Sequence, residues 1–358
     1  MRNEVEEIIT SKNASRITHR ASLILGIDTS CDDTSASVVK DGTEILSNII
    51  SSQSEIHKKY GGIVPELASR RHIEMIWPVV DEALKLSGAN LNEIDAIAVC
   101  HGPGLIGSLL IGCGFAKSIS YAKKKPIVAV NHLEGHIFSV FLENRSAFPF
   151  LSLIVSGGHT SLYIVNGFNQ YIELGITRDD AAGEAFDKVS KLLGLGYPGG
   201  PVIDRLSKSG DAKAFNFPRA YVPESFDFSF SGLKTAVRLE MQKLKEGGQK
   251  LEGNPELIAS VAASFQAAVV DVLVRKVEWA IVKTGIKRVV LSGGVAANSE
   301  LRARVKKMAV EREIELFLPS VSLCTDNAAM IAAAGYHHFK AGNIAGVELN
   351  PRAYLPLK

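Results

Sequence analysis

Leu23-Ile24-Leu25-Gly26-Ile27-Asp28-Thr29-Ser30-Cys31-Asp32-Asp33-Thr34-Ser35-Ala36-Ser37-Val38-Val39 is the stretch that decides the fold class. An apolar run, Leu23–Ile27, stops at a polar segment, Asp28–Thr34, and resumes as Ala36–Val39, which reads as a hairpin with a polar turn. The layout returns at Leu151–Val155, Ser156-Gly157-Gly158-His159-Thr160 and Leu162–Val165. A third apolar run, Val289–Leu291, ends in Ser292-Gly293-Gly294 and passes through Ala296-Ala297-Asn298 into a helical stretch, Ser299–Met308. This recurrence points to two related lobes. Helical patterns at Ile73–Leu86, Ala181–Leu193, Pro255–Lys283 and Asn327–Phe339 alternate with the strands, so the class is α/β.

The chain has 358 residues, 46% of them hydrophobic and 22% charged, which is too long for one simple core and too apolar for disorder. We place an extension at 1–22, expected to be disordered, a first lobe at 23–131 and a second at 132–358, with the last helix returning toward the first lobe. The segment from Gly194 to Ser231 holds Pro198, Pro201, Pro218 and Pro223 and reads as loop-rich. A net charge of +2 excludes a protein that grips nucleic acid over its whole surface. Basic clusters at Arg70-Arg71-His72, Lys123-Lys124-Lys125 and Arg302–Lys307 read either as local RNA contacts or, more commonly, as solvated faces. Cys31, Cys100, Cys113 and Cys324 lie far apart without CxxC spacing, which argues against disulfides and a structural zinc site and fits a reducing cytoplasm. Residues 1–20 lack an apolar core and carry several glutamates, unlike a secretory or transit signal. Ile97–Phe115 has no charged residue, yet Gly102-Pro103-Gly104 breaks it, so strand, glycine loop and small-residue helix describe it better than a membrane span.

Asn131-His132-Leu133-Glu134-Gly135-His136 is the sharpest local feature. On a helix, residues four apart share a face, so His132 and His136 converge while Glu134 points away. A zincin needs glutamate directly after the first histidine and the inverted motif directly before the second; those positions hold Leu133 and Gly135, so a peptidase base is missing. The pair reads as two metal ligands or as histidines lining a helix without metal. Asp326, just before the helix at Asn327–Phe339, is a candidate third ligand and equally a helix N-cap.

Strands feeding Gly-rich turns expose main-chain N–H groups to phosphate. Three such turns, Asp28–Thr34, Ser156–Thr160 and Ser292–Asn298, favour a nucleotide cleft between lobes over mere tight turns, and none matches GxxxxGK[ST] or GxGxxG. Acids near them, Asp32, Asp33, Asp187 and Asp204, read as substrate-handling groups or as ordinary turn aspartates. For Asp187 a ribose-hydroxyl contact stands against a solvated helix face.

Taken together, these residues resemble the tRNA threonylcarbamoyladenosine synthase family, called TsaD in bacteria and formerly known as glycoproteases. The resemblance covers about 23–356 and rests on ordered elements: Gly26–Thr34, Gly61–Glu66, Gly102–Leu105, His132–His136, Val155–His159, Phe186-Asp187-Lys188, Tyr197–Gly200, Phe230–Thr235 and Ser292–Asn298. It implies the two-lobed, actin-like ASKHA fold with a nucleotide cleft between duplicated lobes. It implies a divalent metal, Fe2+ first and Zn2+ second, on His132, His136 and Asp326, and substrate contacts at Val155, Ser156, Gly157, Gly158, His159, Asp187, Gly200, Asp204 and Asn298. The implied reaction moves a threonylcarbamoyl group from threonylcarbamoyl-AMP to the exocyclic amine of the adenosine following the anticodon, in tRNAs reading codons that begin with A. Implied partners are tRNA, a TsaB-like paralogue and a TsaE-like ATPase, or a second copy in a homodimer. Asp28 and Asp33 stand where bacterial members usually carry Glu. Asp32 or Asp33 is the expected proton acceptor. A sugar-kinase-like phosphotransferase shares the fold and differs by transferring phosphate from ATP to a small hydroxyl substrate.

Overall fold

The computed structural model describes residues 21–220, 224–248 and 253–357. The extension expected over 1–22 lies, apart from Ala21 and Ser22, outside the described residues. The opening stretch forms the expected hairpin: β1 (Leu23–Asp28) pairs antiparallel with β2 (Thr34–Lys40), Leu23 opposite Lys40 and Asp28 opposite Ser35. β3 (Glu44–Ser51) extends it antiparallel, while β4 (Ala96–Gly102) and β5 (Ile127–Asn131) run parallel to β1, in the order β3-β2-β1-β4-β5. The second sheet repeats that plan with β6 (Phe150–Val155), β7 (Thr160–Gly167), β8 (Gln170–Ile176), β9 (Arg288–Ser292) and β10 (Glu315–Phe317), ordered β10-β9-β6-β7-β8. The β1–β2 and β6–β7 turns therefore occupy equivalent places at the ends of matching strands, as do the loops after β4 and β9.

The helices are α1 (Ser54–Lys58), α2 (Pro65–Ser87), α3 (Ile106–Lys123), α4 (His132–Phe138), α5 (Ala182–Leu192), α6 (Gly199–Ser207), α7 (Ser231–Glu246), α8 (Pro255–Thr284), α9 (Ser299–Glu311), α10 (Val321–Cys324) and α11 (Ala328–Lys340). α2 starts at Pro65, whose missing N–H costs nothing at a first turn, stops at left-handed Gly88, and buries the stripe Ala68, His72, Ile76, Val79, Ala83 on the first sheet. The uncharged stretch at 97–115 is strand β4, a glycine loop and the start of α3. α8 is long and apolar enough to cross a membrane, but 72% of its apolar window is buried in the protein, as befits a core helix. One expectation changes: inside the segment read as loop-rich, Gly199–Ser207 is helix α6. Pro201 sits in its first turn, where no intrahelical donor is required, so the Gly-Gly-Pro that looked like a turn is a helix start.

α11 comes from the end of the chain and lies on β1, β2, β4 and β5 of the first sheet, opposite α2 and α3. Its small residues allow a close approach. A Cβ on Gly26 of β1 would fall 2.2 Å from the Ala328 carbonyl oxygen, and one on Gly335 would fall 2.3 Å from the Ala98 Cβ. This contact delivers the start of α11 to the carboxyl end of β1, beside the first polar turn.

Candidate functional site

α4 begins where β5 ends. Asn131 caps it, its Oδ1 accepting from the Leu133 N–H at 2.8 Å, while its Nδ2 donates to the Leu355 carbonyl at 3.1 Å. One helical turn places the His132 and His136 rings edge to face, centroids 4.7 Å apart, and both are buried. Asp326 arrives from the start of α11. The two readings open for it are separated by its neighbour: Asn327 caps α11, accepting from the Met330 N–H, and the Asp326 carboxylate is left to face the imidazoles. Its Oδ1 stands 3.3 Å from His136 Nε2 and 3.5 Å from His132 Nε2. A cation about 2.1 Å from each donor would separate them by roughly 3.0–3.4 Å, close to this spacing.

Both ring nitrogens of His136 are buried without a hydrogen-bond partner, which is costly in a protein interior and fits residues shaped to hold a metal. Burial acts against charge on His132, but Asp326 and Asp28 on either side outweigh it and hold its pKa well above the usual value. Burial keeps His136 below its usual value, hence neutral. Burial also opposes charge on Asp326, yet His132 and His136 hold it well below the usual carboxylate range. Glu134 points away from the cluster. Its carboxylate accepts from the Tyr171 hydroxyl at 2.5 Å and meets His338 Nε2 at 2.8 Å, so Glu134 does not serve the histidines as a peptidase base.

A cavity of about 600 Å3 opens beside this cluster, lined by Asp32, Asp33, Gly157, Asp187, Gly200, Asp204 and Asn298 among others. Thr325, next to Asp326, also lines it. At Gly157 and Gly200 an added Cβ would meet no protein atom, so packing does not demand glycine there and the free space belongs to the cavity. Asp187 accepts from the Gly199 N–H at 2.7 Å, joining α5 to α6, and Asp204 accepts from Ser299 Oγ at 2.8 Å, joining α6 to α9. Asn298 caps α9 through Leu301 N–H and donates to Gln266 Oε1 at 2.7 Å, which engages both ends of its amide. Burial, and then the neighbouring Asp32, pushes Asp33 up to about 7. Burial raises Asp32 and pushes Asp187 up to about 6.

The remaining expected substrate residues fall elsewhere. Val155 is fully buried in β6, and Ser156 closes the turn by accepting from the His159 N–H. Gly158 and His159 line a separate cavity of about 250 Å3. Asp28 was not among the expected ligands, yet its Oδ2 lies 3.4 Å from His132 Nδ1, and Asp28, Cys100 and His132 form a second buried group able to gather round a cation. Its place as the last residue of an apolar strand, at the start of the first polar turn, was a sequence signal that could have found it. The described cysteines are free thiols. Of the basic clusters, Arg70 and Arg71 pair with Glu66 and Glu74, and Arg302 is spent on the Ala296 and Pro319 carbonyls.

Residues 44–333 match the TsaD family model, tRNA N6-adenosine threonylcarbamoyltransferase. The chain belongs to the TsaD family. Its TsaD relatives include the tRNA N6-adenosine threonylcarbamoyltransferase of Thermodesulfovibrio yellowstonii, 62% identical over 338 residues and covering 94% of this chain and 100% of that protein. The enzyme of the same name from Anaeromyxobacter sp. is 55% identical over 332 residues, covering 91% of this chain and 97% of its own. Among solved structures, full-length HypF in its phosphate- and nucleotide-bound form superposes with a TM-score of 0.57 at 15% identity, over 89% of this chain and 46% of HypF, a likeness of fold. This TsaD chain is thus a tRNA-modifying acyltransferase on a two-lobed, actin-like ASKHA scaffold, as its motifs implied.

Proposed function

We propose that the 600 Å3 cavity holds the AMP part of threonylcarbamoyl-AMP and that His132, His136 and Asp326 hold one divalent metal beside the reacting carbonyl. One observation carries this reading: Thr325, which lines the cavity, is the chain neighbour of Asp326, the partly exposed member of a three-donor cluster whose two histidines are buried. Two histidines and one aspartate with open positions suit Fe2+, with Zn2+ second. The bound cation would supply Lewis-acid polarisation of the donor's carbonyl oxygen. Gly157 and Gly200 leave room for the nucleotide, Asp187 and Asp204 face its ribose, and the Val155–His159 turn carries the reacting end. The exocyclic amine of the tRNA adenosine attacks the carbamoyl carbon, the C–N bond forms, the C–O bond to phosphate breaks, and AMP leaves with the electron pair. The amine proton passes to Asp33, whose pKa near 7 suits a base that must be half-ionised at neutral pH, with Asp32 beside it. Because adenine's amine is a weak nucleophile, positioning supplies more of the rate than basicity.

The acceptor is the adenosine following the anticodon of tRNAs that read codons beginning with A. Ile73, Trp77, Leu110 and Tyr121 stay exposed on α2 and α3 of the first lobe, an apolar face that supports docking of a TsaB-like paralogue, with a TsaE-like ATPase joining. A homodimer through the same face is the alternative assembly. The free thiols support a cytoplasmic setting. The decisive experiment incubates the purified chain, with those partners, with threonylcarbamoyl-AMP and tRNA. Modified adenosine and stoichiometric AMP are expected; their absence would refute the reading, and phosphate transfer from ATP to a small alcohol would favour the kinase.

A further inference from the structure

The 250 Å3 cavity is separate from the one assigned to the donor, and the same turn walls both. Gly157 lines the larger cavity, while Gly158 and His159 line the smaller. Leu133, between the two imidazoles of α4 in sequence, forms another wall of the smaller cavity. The turn is thus a partition, with the His132–His136–Asp326 cluster at its edge. A volume of about 250 Å3 lies below the ~300–1,000 Å3 of sites for whole drug-sized ligands. A space of this size suits a planar base better than a whole nucleotide.

The rim carries an unusual side chain. Tyr354 is 79% exposed, although the segment bearing it is pinned on both sides. The Arg352 N–H donates to the His101 carbonyl at 2.7 Å, the Gly104 N–H to the Ala353 carbonyl at 3.2 Å, Asn131 Nδ2 to the Leu355 carbonyl, and Leu357 is buried. A fixed backbone that presents an uncovered aromatic ring over a base-sized cavity is how proteins stack an unpaired base. Inside, the Tyr163 hydroxyl and the Glu173 carboxylate meet at 3.4 Å, a stretched contact that leaves both with capacity for a polar base edge.

We infer that this cavity receives the target adenine of tRNA, flipped from its stack and laid against Tyr354, with its exocyclic amine reaching past the Ser156–His159 turn to the reacting carbonyl and to Asp33 on the donor side. The inference rests on the proposed donor site and adds the acceptor site. Enzymes that act on a base take it out of the stack, and a damaged or loop-exposed base pays least for this, which suits an adenosine beside the anticodon.

The test uses the full, metal-loaded chain with its partner proteins. Tyr354→Ala is expected to raise the KM for tRNA about tenfold, within the range for loss of one base–aromatic stack, and to leave the KM for threonylcarbamoyl-AMP unchanged. Tyr354→Phe, which keeps the ring, is expected to behave as wild type. In parallel, a tRNA carrying 2-aminopurine at the target position, held at saturating concentration, should change fluorescence on binding wild type and Tyr354→Phe but not Tyr354→Ala. An unchanged tRNA KM with an unchanged fluorescence response overturns the acceptor site while the donor reading stands. A rise in the donor KM instead assigns the cavity to the threonyl end and also overturns it. A wild-type protein that releases no AMP removes the underlying reading, and this site with it.

Discussion

Asp28 Oδ2 and His132 Nδ1 stand 3.4 Å apart in the protein interior, on the opposite edge of the imidazole from Asp326. Asp28 is itself fixed, its Oδ1 accepting from the Ser30 N–H at 2.9 Å. Neither Asp28 Oδ2 nor His132 Nδ1 has a hydrogen-bond partner among the described residues, so the carboxylate acts on the ring through its charge, favouring a proton on Nδ1 with Nε2 turned toward the proposed metal position.

Asp28→Asn should therefore weaken metal binding by about 10–100-fold while leaving the ligands in place. Competition with a chelator of known affinity, followed by elemental analysis, measures it. His136→Ala should lose the metal outright. Stoichiometric metal in His136→Ala would contradict the assignment.

Asp33 makes activity and stability move in opposite directions with pH. As a base it must be ionised, so turnover should rise through about pH 7. Its folded pKa is raised above the unfolded value of 3.8, so its contribution to stability is fully present below that value and is lost as pH rises through about 7. Asp33→Asn should lose about 10²–10⁴-fold in rate. It should also gain on wild type by on the order of 2–4 kcal/mol in unfolding free energy between pH 4 and 8. Denaturant titrations at the two pH values test this; parallel curves would refute it.

Gly157→Val separates ligand space from packing. No protein atom lies within 4 Å of the first added carbon, so stability should stay within about 0.5 kcal/mol of wild type. The side chain enters the 600 Å3 cavity, and AMP affinity should fall about tenfold or more. Calorimetric titration with AMP, alongside thermal melts, distinguishes the two effects.

Gly26→Ala is the converse case. The added carbon would meet the Ala328 carbonyl oxygen at 2.2 Å, forcing α11 off the sheet at a cost of about 1–3 kcal/mol. Because Asp326 sits at the entrance to that helix, metal affinity should fall with stability, measured together on one preparation.

The elements were legible wherever a local pattern encodes them. The polar turn after Leu23–Ile27, its echo at Ser156–Thr160 and the four-residue spacing of His132 and His136 all depend on neighbours in sequence, because hydrogen bonds within hairpins and helices link nearby residues. Spacing also gave the direction of Glu134, though not its partners Tyr171 and His338. Helix α6 was missed because glycine and proline mark both turns and helix starts.

Sequence by itself determined the α/β class, the repeated hairpins, the family and the candidate ligands. Tertiary structure decided that Asp326 faces the histidines while Asn327 does the capping, that Asp28 backs His132, and that seven of the nine expected substrate residues divide between two cavities while Val155 and Ser156 line neither. Each of these follows from α11 seating on β1 and β4 through Gly26 and Gly335, and from the turn after β6 standing between the lobes' cavities. Such contacts join residues far apart in the chain by shape, which no local periodicity records.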